Sequence, residues 1–239
     1  MAIVSQENIL SILTTFNPWW QNGVVPKAFV KEFHRSSYYT CRKSLLSDLR
    51  RIVVMSGARR TGKTTIMYQL IHDLLEQGVK PQNILFFTFD HPLIRMAGMD
   101  QILNIYKNNI SDDAHFYMFV DEVQFDKDWT NYLKMAYDMN PDMRSVATGS
   151  ASAAIEDNVR ESGAGRWTVI KVTTLSFYEY CALKGISKAQ SVDDVFRIHT
   201  LSKQQQTQLM MGLSDLQIHL MRYMQIGGFP ELVKTEDVP

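Results

Sequence analysis

Gly57-Ala58-Arg59-Arg60-Thr61-Gly62-Lys63-Thr64-Thr65 decides the reading of this 239-residue chain. The stretch fits G-x-x-x-x-G-K-[ST], with Gly57, Gly62, Lys63 and Thr64 at the four fixed positions. Arg51 to Met55, just before it, reads as a short buried strand. Thr64 to Gln77, just after it, reads as a helix with Ile66, Met67, Leu70, Ile71, Leu74 and Leu75 on one face. Strand, glycine loop and helix are the context that the motif requires. Glycines let a backbone wrap a phosphate, and the loop N–H groups and the helix N-terminus then point at negative charge. Ala58, Arg59, Arg60, Thr61 and Thr65 complete the predicted cradle. Lys63 brings a full positive charge to the β- and γ-phosphates, and the Thr64 hydroxyl can ligate Mg²⁺. A glycine turn beside a structural lysine would leave the same local pattern, so a second motif has to complete the site.

That second motif is Phe116-Tyr117-Met118-Phe119-Val120-Asp121-Glu122. An apolar strand ending in two carboxylates suits a magnesium-holding Walker B aspartate, here Asp121. Glu122 adds a carboxylate able to take a proton from an attacking water, or to orient it. The same pair could merely cap a following helix, but beside the glycine loop the chemical reading is preferred. Ile84 to Asp90, ILFFTFD, forms a further strand lying between the two motifs in sequence. Together with the glutamate it points to the additional-strand, catalytic-glutamate branch of P-loop proteins. No guanine-reading N-K-x-D is present, so ATP is favoured over GTP. Asp90, at the end of its strand, is the reserve candidate for the base.

Composition excludes several classes. Lys plus Arg equals Asp plus Glu, 25 each, so no global charge calls for nucleic acid or membrane. No apolar run is long enough to span a bilayer. The two cysteines, Cys41 and Cys181, lack metal spacing and suit a reducing cytoplasm. Charge is nonetheless segregated. Ten basic residues against two acids lie between Lys27 and Lys63, and eight acids against two lysines between Asp112 and Asp142. A phosphate site and a metal site account for part of each block. The remainder leaves room for a protein partner or a nucleic acid.

Taken in order, residues 5–15 predict a short amphipathic helix, broken at Asn17-Pro18. Trp19 and Trp20 either staple this arm to the main domain or offer a ring to stack on adenine. Residues 41–50 predict a helix leading into the first strand. Further helices are expected around Asp100–Asn108 and over Trp129–Met139. Further strands are expected at His115–Asp121, Arg144–Thr148 and Trp167–Thr173. Beyond Ser176 the pattern is helical, in FYEYCALKG, VDDVFRI and the stretch from Ser202 to Gln225. Strands alternating with helices argue for a parallel sheet covered on both faces.

FNPWW, GARRTGKTTIMYQLI, NILFFTFDHP, FVDEVQ, ATGSAS, GAGRW, LSFYEY and GGFPELV together resemble the prokaryotic AAA-like P-loop ATPases. In that family an ATPase core precedes a C-terminal domain of unassigned function. The resemblance implies that the fourth strand lies between the P-loop strand and the Asp121 strand. It also implies that Thr148 and Ser150 serve as polar sensors of the γ-phosphate, and that Arg166 is a finger arginine acting in its own subunit or across a boundary. Arg160 is the rival for that role. Thr174-Leu175 departs from the family's Pro-Leu. GGFPELV opens the family's C-terminal domain, so only the start of that domain is expected here.

The expected fold is thus an α/β P-loop NTPase with a five-stranded parallel sheet flanked by helices, plus a helical C-terminal segment. Residues 1–50 are read as a helical arm, 51–174 as the ATPase core and 175–239 as the helical segment that starts the C-terminal domain. The expected catalytic residues are Lys63, Glu122 and Arg166. The nucleotide contacts are Gly57 to Thr65 with Thr148 and Ser150, and the Mg²⁺ ligands are Thr64 and Asp121. The function read from these residues is Mg²⁺-dependent ATP hydrolysis that drives a conformational change in a cytoplasmic protein, acting on its own C-terminal domain or on a protein partner. A homo-oligomer is one expected form. A slow nucleotide-dependent switch and a DNA-handling ATPase are the alternatives.

Overall fold

Five short strands carry the apolar runs of the sequence: β1 Ile52–Ser56, β2 Ile84–Thr88, β3 Tyr117–Asp121, β4 Arg144–Gly149 and β5 Trp167–Lys171. The computed structural model describes residues 5–150, 159, 165–186 and 198–234. All strand pairs are parallel, in the order β2-β3-β4-β1-β5. Every residue of β1 and β3 is buried, as parallel strands with both faces covered require. The expected five-stranded sheet is therefore present. One detail differs from the order of the sequence: the strand lying between the two motif strands in space is β4, whereas β2 forms an edge.

Helices α1 Gln6–Phe16, α2 Trp19–Asn22, α3 Ser36–Leu45, α4 Lys63–Glu76, α5 Pro92–Asn109 and α6 Trp129–Met139 belong to the same compact unit as the sheet, Met1–Val172. The arm thus shares a unit with the core, and the boundary falls two residues before the expected 174. Helix α3 begins and ends earlier than the 41–50 expected. Arg144 explains where it stops: its Nη1 donates to Leu45 O at 2.6 Å and Ser47 O at 2.7 Å, taking up carbonyls at the helix end. The chain then enters β1 as an irregular connection.

The FNPWW stretch covers the exposed edge of β2. Asn17 Nδ2 donates to Phe86 O at 2.7 Å, and Phe86 N–H donates to Asn17 Oδ1 at 2.6 Å. One side-chain amide thus takes the place of a neighbouring strand. Both indole N–H groups donate to Ile84 O, from Trp19 at 3.0 Å and from Trp20 at 2.8 Å. Trp19 and Trp20 are buried, so the stapling reading holds and the rings are not free to stack on a base. An unpaired strand edge invites pairing with other chains, and this cover prevents it.

The second unit, Thr173–Pro239, holds α7 Phe177–Leu183, α8 Lys203–Ile226 and α9 Pro230–Lys234. Ser176 with Glu179, and Ser202 with Gln205, form capping boxes that start α7 and α8. Leu175 N–H donates to Gly228 O at 2.7 Å, and Tyr223 Oη donates to Leu175 O at 2.6 Å. The first bond joins LSFYEY to GGFPELV, and the second joins it to the end of α8. Most of VDDVFRI lies outside the described residues.

Replacing Asn17 with Ala leaves the N–H and C=O of Phe86 without their partner. Unmade buried hydrogen bonds cost about 1–3 kcal/mol each, so a loss of about 2–6 kcal/mol is expected. A lower urea midpoint with an unchanged denaturant slope would show it.

Candidate functional site

The C-terminal ends of β1, β4 and β3 lie side by side, since Ser56 is level with Gly149 and Val120 with Ala147. Ligands of open parallel sheets gather at this edge. The glycine loop leaves β1 here. A Cβ on Gly57 would lie 2.0 Å from Val172 O, and Val172 is itself tied to β1 by its N–H on Ser56 O at 2.8 Å. No other residue fits at Gly57. Gly62 has φ +91, a left-handed conformation that suits glycine, and from it α4 begins. The first intrahelical bond runs from Ile66 N–H to Gly62 O at 3.1 Å. The N–H groups of Lys63, Thr64 and Thr65 therefore lack intrahelical partners and are available to an anion. Ala58, Arg59 and Arg60 are exposed on the loop, while Thr61 is buried with its Oγ1 on Ala58 O at 2.9 Å.

Lys63 is buried and folds back over the loop. Its Nζ donates to Gly57 O at 2.9 Å and to Ala58 O at 2.8 Å. Burial lowers its pKa, opposed by the charges of Glu122 and Asp121. Asp121 is only 6% exposed. Thr64 Oγ1 donates to its Oδ2 at 3.0 Å, and Thr148 Oγ1 donates to its Oδ1. Burial raises the Asp121 pKa despite both hydroxyls, and the neighbouring Glu122 charge adds to the rise. A buried carboxylate beside a threonine hydroxyl, both at a phosphate-binding loop, is an all-oxygen donor set that fits Mg²⁺. Among the described residues no cluster of three or more His, Cys, Asp or Glu could hold a metal. Mg²⁺ bound largely through substrate phosphates needs no such cluster.

Glu122 has φ 55 and ψ 48, left-handed for a residue that is not glycine. Such backbone costs on the order of 1–3 kcal/mol and gathers at functional sites. Its N–H donates to Thr148 Oγ1 at 3.1 Å, and its Oε2 accepts from Ser150 Oγ at 3.1 Å and from Gln124 Nε2. The sequence reading missed Gln124. Its place in FVDEVQ, two residues after Glu122, was the available signal.

Of the other expected contributors, one is near and one is not. Asp90 is exposed just past the edge strand β2, next to β3, and the preceding Phe89 donates its N–H to Asp121 O at 3.0 Å. Arg166 stands at the opposite end of the sheet, where its carbonyl accepts from Ile52 N–H at 2.7 Å. The length of β1, roughly 13 Å at about 3.3 Å per residue, separates it from the loop. Its Nε pairs with Asp138 Oδ1 at 3.1 Å. Arg166 therefore does not reach the phosphate loop of its own chain, which corrects the expectation of a role within one subunit. Arg160 lies outside the described residues.

Three arginines of the basic block are engaged within the protein. Arg35 Nη1 donates to Thr61 O at 2.7 Å, Arg42 pairs with Asp73 at 3.2 Å, and Arg50 Nη1 donates to Tyr137 O at 2.9 Å and Asn140 O at 3.0 Å. Lys27, Lys31, Lys43, Arg59 and Arg60 are exposed, so these bonds account for only part of the charge that left room for a nucleic acid.

Sheet order, glycine loop and paired carboxylates define a P-loop NTPase of the additional-strand type. A match to the AAA domain family covers residues 49–181, more than half of the sequence, and the chain belongs to that family. An uncharacterized protein of Haemophilus influenzae is 28% identical over 193 residues, covering 78% of this chain and 41% of the relative. An uncharacterized protein of Methanocaldococcus jannaschii is 22% identical over 201 residues, covering 82% and 41%. The chain thus spans about two fifths of the length of these curated relatives. Among solved structures, the Aeropyrum pernix ORC1 protein in complex with DNA aligns at TM-score 0.48 and 12% identity, over 70% of this chain and 51% of that one. The Saccharomyces cerevisiae Hsp104-ADP complex aligns at 0.47 and 15%, over 75% and 26%. No helix among the described residues is long and apolar enough to cross a membrane.

A carboxyl whose folded pKa lies above its unfolded value stabilises most when protonated, and that contribution fades as pH rises through the folded pKa. Ionised Asp121 therefore costs stability at neutral pH. Asp121→Asn should raise the melting temperature, at neutral pH, of the protein free of nucleotide and Mg²⁺. The gain should shrink as pH falls and the parent's carboxyl protonates. Thermal melts at neutral and mildly acidic pH would test both.

Proposed function

We propose that this domain binds Mg-ATP and hydrolyses it, and that turnover drives a conformational change. The observation that carries this reading is the meeting of Lys63, Thr64, Asp121 and Glu122 at one end of the sheet, beside unpaired helix N–H groups. The loop carbonyls now facing Lys63 Nζ are neutral, so β- and γ-phosphate oxygens would draw the ammonium away from them. Thr64 and Asp121 would hold Mg²⁺, which supplies neutralisation of the charge developing on the phosphates. Glu122 takes the proton of the attacking water. Ser150, just past β4, lies within reach of the same space and would sense the γ-phosphate, while Thr148 would act through Asp121, to which it gives its proton. Two buried cysteines free of disulfide bonds support a reducing, cytoplasmic setting. Residues from Thr173 on are read as the start of the domain that responds to turnover, with a separate protein as the other candidate partner.

Glu122→Gln keeps the shape of the side chain but cannot take a proton. It should retain ATP binding and lose about 10²–10⁴ in turnover. Equilibrium binding and steady-state hydrolysis at saturating ATP would test this. The wild-type turnover in the same assay separates an ATPase from a slow nucleotide-dependent switch.

Arg166 is proposed as a finger acting across a subunit boundary in a homo-oligomer. Its tether to Asp138 is half exposed, and such pairs contribute only about 0–1 kcal/mol, so a neighbouring nucleotide could compete for it. Arg166→Ala should lower turnover by about 10³-fold or more, with little change in ATP affinity. Mixing it with Glu122→Gln should restore activity, because mixed interfaces pair an intact base with an intact finger. Turnover per subunit that is independent of protein concentration, with no restoration on mixing, would remove the proposed role.

A further inference from the structure

Gln124 lies in the single helical turn Val123–Phe125 that follows β3. Its amide is fully engaged. Oε1 accepts from Ser150 N–H at 3.1 Å, while Nε2 donates to Ser150 Oγ at 2.8 Å and to Glu122 Oε2. Ser150 Oγ closes the ring by donating to Glu122 Oε2 at 3.1 Å. Both donors therefore sit on the same carboxylate oxygen. Glu122 Oε1 has no hydrogen-bond partner among the described residues.

The number of protons limits what this ring can do. A serine hydroxyl carries one proton. Ser150 cannot donate it to Glu122 and to a phosphate oxygen at the same time. If Ser150 turns to a γ-phosphate, Glu122 Oε2 loses one of its two donors. Gln124 is not subject to that exchange. Its Oε1 is anchored on a backbone N–H, which cannot rotate away as a hydroxyl does, and its two amide protons serve two acceptors.

We propose that Gln124 is the positioning residue of Glu122. It fixes Oε2, leaves Oε1 to face the attacking water, and keeps its hold when Ser150 is drawn to the nucleotide. This rests on the reading of Glu122 as the base. Neither neighbouring amino-acid type can substitute. Asparagine is one methylene too short, and glutamate would face Glu122 with a second carboxylate and no N–H to give.

The test uses the whole chain and five proteins: the parent, Gln124→Ala, Gln124→Met, Glu122→Gln and Glu122→Gln with Gln124→Ala. Steady-state hydrolysis gives kcat, and equilibrium binding of a fluorescent ATP analogue gives Kd. Misplacing a reacting group by an ångström costs about a hundredfold, so Gln124→Ala and Gln124→Met should each lower kcat by about 10- to 100-fold. Their Kd should stay within about twofold of the parent, since the loss is confined to the chemical step. In the Glu122→Gln background, Gln124→Ala should cause no further fall, because the two residues act as one unit. Gln124→Met keeps the length of the side chain and carries the same expectation if the alanine variant fails to fold. A parental or raised kcat in both Gln124 variants overturns the proposal, and so does an equal fall in both backgrounds. If Glu122→Gln itself turns over normally, the base assignment fails and the positioning role falls with it. If Glu122→Gln is slow but the Gln124 variants are not, only the positioning role is lost.

Discussion

One hydroxyl on β4 ties together the two carboxylate residues of the candidate site. Thr148 Oγ1 accepts the Glu122 N–H and donates its proton to Asp121. Without that acceptor, the left-handed turn at Glu122 would leave a half-buried N–H without its partner. Without that donor, Asp121 would bury its charge with one hydroxyl partner fewer. The bond is possible because β4 pairs with β1 on one side and β3 on the other, so Thr148 emerges between the glycine loop and the carboxylates. The strand inserted between the two motif strands is thus more than a spacer. It brings the hydroxyl that couples them.

The rest of the first unit keeps this edge in place by satisfying backbone groups that the sheet leaves over. The Asn17 amide and the two indoles close the free side of β2, and Arg144 closes the end of α3. Arg35 reaches the glycine loop itself, donating to Thr61 O while only 7% exposed. A guanidinium offers five donors in a rigid fork, which suits it to gathering carbonyls that would otherwise be stranded. Part of a basic stretch that looks in the sequence like a surface for an anionic partner is internal scaffolding.

Asp121 shows what the loop and the carboxylates hold in reserve. Burial raises its pKa, and burial lowers that of Lys63. Both shifts express the same cost, charge held in a site with little water. On the proposed function, a nucleotide with its metal would supply counter-charges to both at once, and the site would be less favourable without them.

The sequence by itself determined the class of fold and the loop. GARRTGKTT and FYMFVDE carry their chemistry in residue types at fixed local spacings, and a strand–loop–helix unit is a local object. Lys63, Thr64, Asp121 and Glu122 were legible for that reason. So were the approximate positions of the five strands, because an apolar run is read from neighbours in sequence. What only the tertiary structure decided depends on contacts between residues far apart in the chain. ILFFT lies between the motifs in sequence but at the edge in space, since strand order is set by crossovers rather than by succession. Asn17 reads locally as a helix breaker, and its partner Phe86 is 69 residues away. Gln124 looks like a surface glutamine until β4 delivers Ser150 against it. Arg166 has the right neighbours in sequence for a finger, yet it opens β5 while the phosphate loop follows the end of β1. In a parallel sheet the start of one strand and the end of its neighbour lie at opposite edges, and a side chain cannot reach across that length.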